Sequence, residues 1–137
     1  MKWMLHVHHD LVCEILTAPI EERIQLIKAK PTHEIPTRLK VLRELTDEEV
    51  MRLPETFRQA LAAHAKAWVA HAKSLAAWDP QDRLAWDQAG MAYIQAEAAL
   101  RQAEVACAGE LETWHKSVCL PDCPWNGKTL FPKRLED

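Results

Sequence analysis

The chain has 137 residues, 48% of them hydrophobic and 27% charged, with three glycines, four cysteines and a net charge of -3. That length supports a real core, the scarcity of glycine disfavours an all-β fold rich in tight turns, and mixed charge gives no case for wholesale nucleic-acid binding. Nowhere does an apolar run reach membrane-spanning length. Met1 to Leu5 begins in the manner of a signal peptide, but His6, His8, His9 and Asp10 end it at once, which points to a cytoplasmic protein. In that compartment cysteines serve as thiols or metal ligands more often than as disulfides.

In chain order, residues 2 to 8 alternate. Trp3, Leu5 and Val7 share one face of a strand, and Met4, His6 and His8 the other. Asp10 reads as a helix N-cap, with Leu11 to Leu16 as a short helix. Thr17, with Pro19 close behind, opens a second helix on Ile20, Ile24 and Ile27 that stops at Lys30 and Pro31. Pro36 opens a third, striped by Leu39, Leu42 and Leu45. Thr46 and Glu49 form a capping box, and Leu53-Pro54 marks a kink or restart. The six basic residues between Arg23 and Arg43 invite comparison with a helix-turn-helix. Glu21, Glu22, Glu34 and Glu44 are mixed among them, and the connection through two prolines is long and stiff, so a solvated face is the better reading.

Residues 54 to 120 read as a long antiparallel two-helix hairpin. Phe57, Leu61, His64, Trp68, His71, Leu75 and Trp78 alternate in steps of four and three, one seam along a helix. Trp86, Ala89, Tyr93, Ala96, Leu100, Ala103, Cys107, Leu111, Trp114 and Val118 form a second seam. Asp79 and Pro80 suit the turn between them. Gly90 and Gly109 are the weak points of the second helix. Leu84, Met91, Ile94, Ala98 and Val105 add a further apolar stripe, which calls for a third packing partner: the N-terminal segment or another subunit. After Leu120, Pro121, Pro124 and Pro132 exclude helix and Asn126-Gly127 signals a turn. Lys128 to Phe131 reads as a short strand able to pair with residues 3 to 7, and Lys133 to Asp137 as a loose tail.

The fold expected is therefore all-α and single-domain. Residues 1–53 form a strand and two or three short helices, 54–120 the hairpin, and 121–137 a Cys/Pro tail, with a small irregular or two-stranded element joining the termini.

The residues with metal-binding chemistry are His115, Cys119 and Cys123. The first two lie four apart on one face of the last helical turn, and the third follows a proline-containing loop. The run from Cys119 to Lys128 resembles a zinc knuckle, with three residues between the cysteines where two are usual. Zinc calls for a fourth ligand, and Cys13 is taken for it, with His6, His8 or His9 as the alternatives. His64 and His71 occupy seam positions two turns apart, suited to hydrogen bonds with Glu97 or Glu104. With Trp68 and Trp125 they are the candidate binding residues. No nucleophile motif, phosphate loop, metalloprotease, deaminase or di-iron pattern is present, so an enzyme is not expected.

The tail His115-Lys-Ser-Val-Cys119-Leu-Pro-Asp-Cys123-Pro-Trp-Asn-Gly-Lys-Thr-Leu-Phe-Pro132 resembles the ending of small proteins encoded in bacteriophage and prophage genomes. Those also carry an Ala-rich helical middle and a His/Trp-rich start. The resemblance implies no activity, but it implies a setting: an accessory protein acting on a host component in the host cytoplasm. The expected function is thus a non-catalytic binding protein, a homodimer with a host protein as partner, inhibiting a defence or regulatory factor. Two alternatives are a small zinc protein whose His/Cys cluster senses metal or touches nucleic acid, and a protein that sequesters a small ligand between protomers.

Overall fold

A computed structural model describes residues 2–8 and 10–132. The chain divides into two compact units: residues up to Leu53 together with those from Ala108 onward, and Pro54–Cys107.

The first unit is built on a three-stranded antiparallel sheet. β1 (Trp3–Leu5) lies between β2 (Cys13–Ile15) and β3 (Arg43–Glu44). Trp3 faces Ile15 and Leu5 faces Cys13 across one ladder, while Leu5 faces Arg43 across the other. All-α is therefore corrected to mostly helical with a small sheet. The segment read as a helix from Leu11 is β2. Six residues with two β-branched ones among them cannot nucleate a stable helix, whereas β1 offers them a ladder. The turn between the two strands is closed by His6 N–H donating to Val12 O at 3.0 Å.

The strand expected at 128–131 does not form. Asn126 Oδ1 accepts from the backbone N–H groups of Lys128 and Thr129, and Thr129 Oγ1 accepts from Phe131 N–H. Side chains thus take the donors that a ladder would have used. The partners of β1 are β2 and β3 instead. The expected tail from Lys133 lies outside the described residues.

Three short helices follow the sheet's logic. α1 (Ile20–Lys28) starts behind Pro19, not at Thr17, and α2 (Ile35–Val41) carries Pro36 in its first turn. Leu42 already has extended dihedrals and leads into β3. α3 (Asp47–Met51) opens on a complete capping box, with Glu49 N–H donating to Thr46 Oγ1 and Thr46 N–H to Glu49. Arg43 adds two bonds to the same carboxylate, at 2.9 and 2.7 Å. The bond from Arg43 and the Thr46 backbone hold Glu49 down at about 2, against the opposing cost of burial. Its folded value lies below the ordinary 4.5, so its contribution is fully present above pH 4.5 and is lost as pH falls toward 2. Glu49→Gln is expected to remove that acid-sensitive component and cost about 1 kcal/mol of cap stability at neutral pH. Unfolding midpoints at pH 7 and pH 3 check this: the difference between the two proteins should shrink at the lower pH.

The unit is closed by α6 (Ala108–Val118), which buries Leu111, Trp114, His115 and Val118. Trp114 Nε1–H donates to Glu49 O at 2.9 Å, tying α6 to α3. Arg43 also donates to Val118 O at the C-terminal end of α6.

The second unit contains α4 (Glu55–Ala76) and α5 (Arg83–Ala106), joined by a 3-10 turn at Pro80–Asp82 whose entry is capped by Asp79 accepting from Gln81 N–H. His64 meets Glu97, His71 lies against Gly90, and Trp78 lies edge-on to Trp86, so the helices run in opposite directions. The second seam does not continue unbroken to Val118. Cys107 leaves helical geometry, two residues before Gly109, and Leu111, Trp114 and Val118 serve the core of the first unit. No helix among the described residues is long and apolar enough to cross a membrane.

Candidate metal centre

Three pieces of the first unit converge on one point. The end of β1 supplies His6, the last turn of α6 supplies His115, and the loop beyond supplies Cys119 and Cys123. The ligand atoms of these four residues all lie within 4.8 Å of one another. His6 Nε2 is 3.0 Å from His115 Nε2 and 3.4 Å from the Sγ atoms of both Cys119 and Cys123. A tetrahedral zinc site with N at about 2.0 Å and S at about 2.3 Å has ligand-to-ligand edges of roughly 3.3–3.8 Å. The three separations from His6 are close to those edges, and the four donors together span up to 4.8 Å.

Local structure explains the convergence. One helical turn stacks Cys119 on His115, and Cys119 N–H donates to His115 O at 2.9 Å. The turn after it is held by Cys123 N–H donating to Leu120 O at 3.1 Å, and outside it by an ion pair between Lys40 and Asp122. His6 has φ of +54°, the left-handed region that non-glycine residues seldom enter, which turns its ring away from the strand direction and into the cluster.

The electrostatics of the four side chains suit a cation. His6 is fully buried, and burial together with its neighbour His115 lowers its pKa to about 3. Burial lowers His115 as well. Both rings are therefore neutral at pH 7, with a lone pair to offer. Burial and the adjacent Cys123 push the Cys119 thiol up to about 12, so this sulfur becomes a thiolate only if something positive takes its proton's place. Arg43 contributes a lesser pull toward thiolate. Two thiolates and two neutral imidazoles would cancel the charge of one divalent ion.

The same contacts make poor sense as hydrogen bonds. One imidazole nitrogen carries either one proton or one lone pair, yet His6 Nε2 faces three partners. His6 Nδ1 is buried and finds no hydrogen-bond partner among the described residues. A strained backbone, a buried ring and crowded donor atoms are costly together unless an ion at their focus compensates. The ring of Trp125 covers the centre, 4.8 Å from His115 and 6.3 Å from His6 between centroids.

Of the candidates for the fourth position, the structure brings His6 to the other three. Cys13 lies on β2 opposite Leu5, fully buried, its thiol held protonated by burial and by Glu14. It is not among the four. His8 is turned outward and pairs with Glu14. His9 lies outside the described residues. Cys107 belongs to the second unit. Sequence reasoning passed over Arg43, whose role depends on β3 lying beside β1, and no local pattern signals that.

The remaining sequence-derived candidates sit together in the second unit. His64 Nε2 and Glu97 Oε2 are 2.6 Å apart, and Arg101 holds the other oxygen of Glu97 at 3.1 Å. His71 stacks on Tyr93 with rings 8° from parallel, and Trp68 lies against both. His64 thus makes the expected bond to Glu97, whereas His71 is held by stacking and its buried Nδ1 finds no hydrogen-bond partner among the described residues.

No family model matches the chain, and neither a curated protein nor a solved structure does.

Proposed function

We propose that the first unit is a zinc-clipped platform and that the chain works as a non-catalytic binding protein. The observation that carries the zinc reading is the meeting of four donor atoms from His6, His115, Cys119 and Cys123 within 4.8 Å of one another, the two histidines buried and the two cysteines half-buried. Four protein ligands complete the usual zinc shell, which leaves no position for a reacting water and favours a structural ion over a catalytic one. The ion would join the start of the chain to its end, since the ligands come from residue 6 and from residues 115–123. The resemblance of the tail to phage-encoded proteins supports an accessory role with a host protein as target.

Cobalt substitution tests the geometry. Full-length protein loaded with Co(II) is expected to show the intense visible bands of a tetrahedral ion and a sulfur-to-metal charge-transfer band. Cys119→Ser should weaken both. The weak spectrum of an octahedral aquo ion, unchanged by Cys119→Ser, would contradict the reading.

A further inference from the structure

The second unit leaves an apolar face open. Leu84, Met91, Ala98 and Val105 recur every seven residues along α5, with Ile94 at the centre of the row. Leu84, Met91, Ile94 and Val105 are each between 55% and 77% exposed, and Ala98 is exposed as well. The face toward α4 is a different one, carrying Tyr93, Glu97 and Leu100. An apolar residue every seven over three intervals, with Ile94 between Asp87 and Arg101 at the second position of the repeat, marks a helix that packs lengthwise on another helix through an apolar centre and charged flanks.

We infer that this face binds the same face of a second copy, antiparallel, about a two-fold axis at Ile94. The row is self-complementary about that point. In an isologous contact, residues equally far from the axis in opposite directions meet. Within one residue, Leu84 then meets Val105 of the other copy, the long Met91 meets the small Ala98, and Ile94 meets itself. The charges obey the same axis. Asp87 falls opposite Arg101, and Arg83 opposite Glu104. Within one chain Arg83 lies 3.8 Å from Asp87, and Arg101 lies 3.5 Å from Glu104. The two-fold therefore brings Arg83 and Asp87 of one copy against the Arg101–Glu104 pair of the other, where Arg101 also holds Glu97 at 3.1 Å, with Asp87 and Arg101 seven residues to either side of Ile94 in the row itself. A parallel arrangement in register would set Asp87 on Asp87 and Arg101 on Arg101, which disfavours it.

The proposal concerns the second unit and stands apart from the zinc reading. Light scattering of the full chain is expected to give twice the 15.7 kDa monomer mass, and a monodisperse monomer overturns the proposal. Ile94→Glu puts two carboxylates at the axis and should weaken the dimer about a hundredfold or more with helical content unchanged. A dimer that survives this substitution as strongly as before places the contact elsewhere and overturns the proposal. The register has its own test, which does not depend on how Ile94→Glu folds. Ile94→Cys should crosslink copy to copy under mild oxidation, above the baseline set by the unsubstituted chain. Leu84→Cys, about 15 Å from the axis, should crosslink only when mixed with Val105→Cys. Failure of Ile94→Cys to exceed the baseline, or equal crosslinking by Leu84→Cys alone, overturns the register.

Discussion

Replacing Cys123 with serine is expected to abolish stoichiometric zinc binding and to lower the thermal midpoint by roughly 10 °C or more. The size follows from mass action: an ion held at about a thousand times its Kd stabilises the folded state by about 4 kcal/mol, and roughly 2–4 °C per kcal/mol is usual for a chain near this length. A hydroxyl does not supply the thiolate that the site's charge balance requires, and the remaining Cys119, His6 and His115 leave an incomplete shell. The check is a pair of melts, with zinc and with a chelator. The unsubstituted chain should lose stability on chelation and Cys123→Ser should not respond. Equal midpoints for the two proteins in both conditions would count against a metal at this place.

The second large effect separates His6 from Cys13. His6→Ala removes the ring on which the other three ligands converge and should leave the protein without stoichiometric zinc. Cys13→Ala should keep the metal and cost about 1 kcal/mol, the usual scale for a small loss of buried volume. The reverse pattern would place the fourth ligand on β2. Proton balance gives a companion result. Both histidines are already neutral at pH 7, while the Cys119 thiol, raised to about 12 by burial and Cys123, must give up its proton on binding. Zinc affinity should therefore rise with pH through the neutral range, as titrations at pH 6.5 and 7.5 would show.

How far the sequence could be read depended on how local each signal was. The capping box at Thr46 and Glu49 and the turn at Asp79-Pro80 follow rules that span three or four residues, and both are present. The trio His115, Cys119 and Cys123 was legible for the same reason, being one helical turn and one short loop. His6 was legible only as an alternative to Cys13, because its place depends on β1 pairing with β2, and the composition of Leu11 to Leu16 points to helix and hides that pairing. Short apolar segments carry no periodicity long enough to decide between the two. The tail misled in the opposite way. Lys128 to Phe131 has a strand's composition, but Asn126 and Thr129 satisfy its backbone from their side chains. The break at Cys107 was unmarked, since the seam spacing runs through it undisturbed and only the split into two units reveals that its far end serves another core.

The most direct measurement of the central claim is elemental analysis of the full chain, purified without a histidine tag and dialysed free of loose metal. The His6–His115–Cys119–Cys123 centre predicts about one zinc per chain, reduced to background in Cys123→Ser. Less than about a tenth of an equivalent, in protein that is folded and shows no uptake from added zinc, would contradict it.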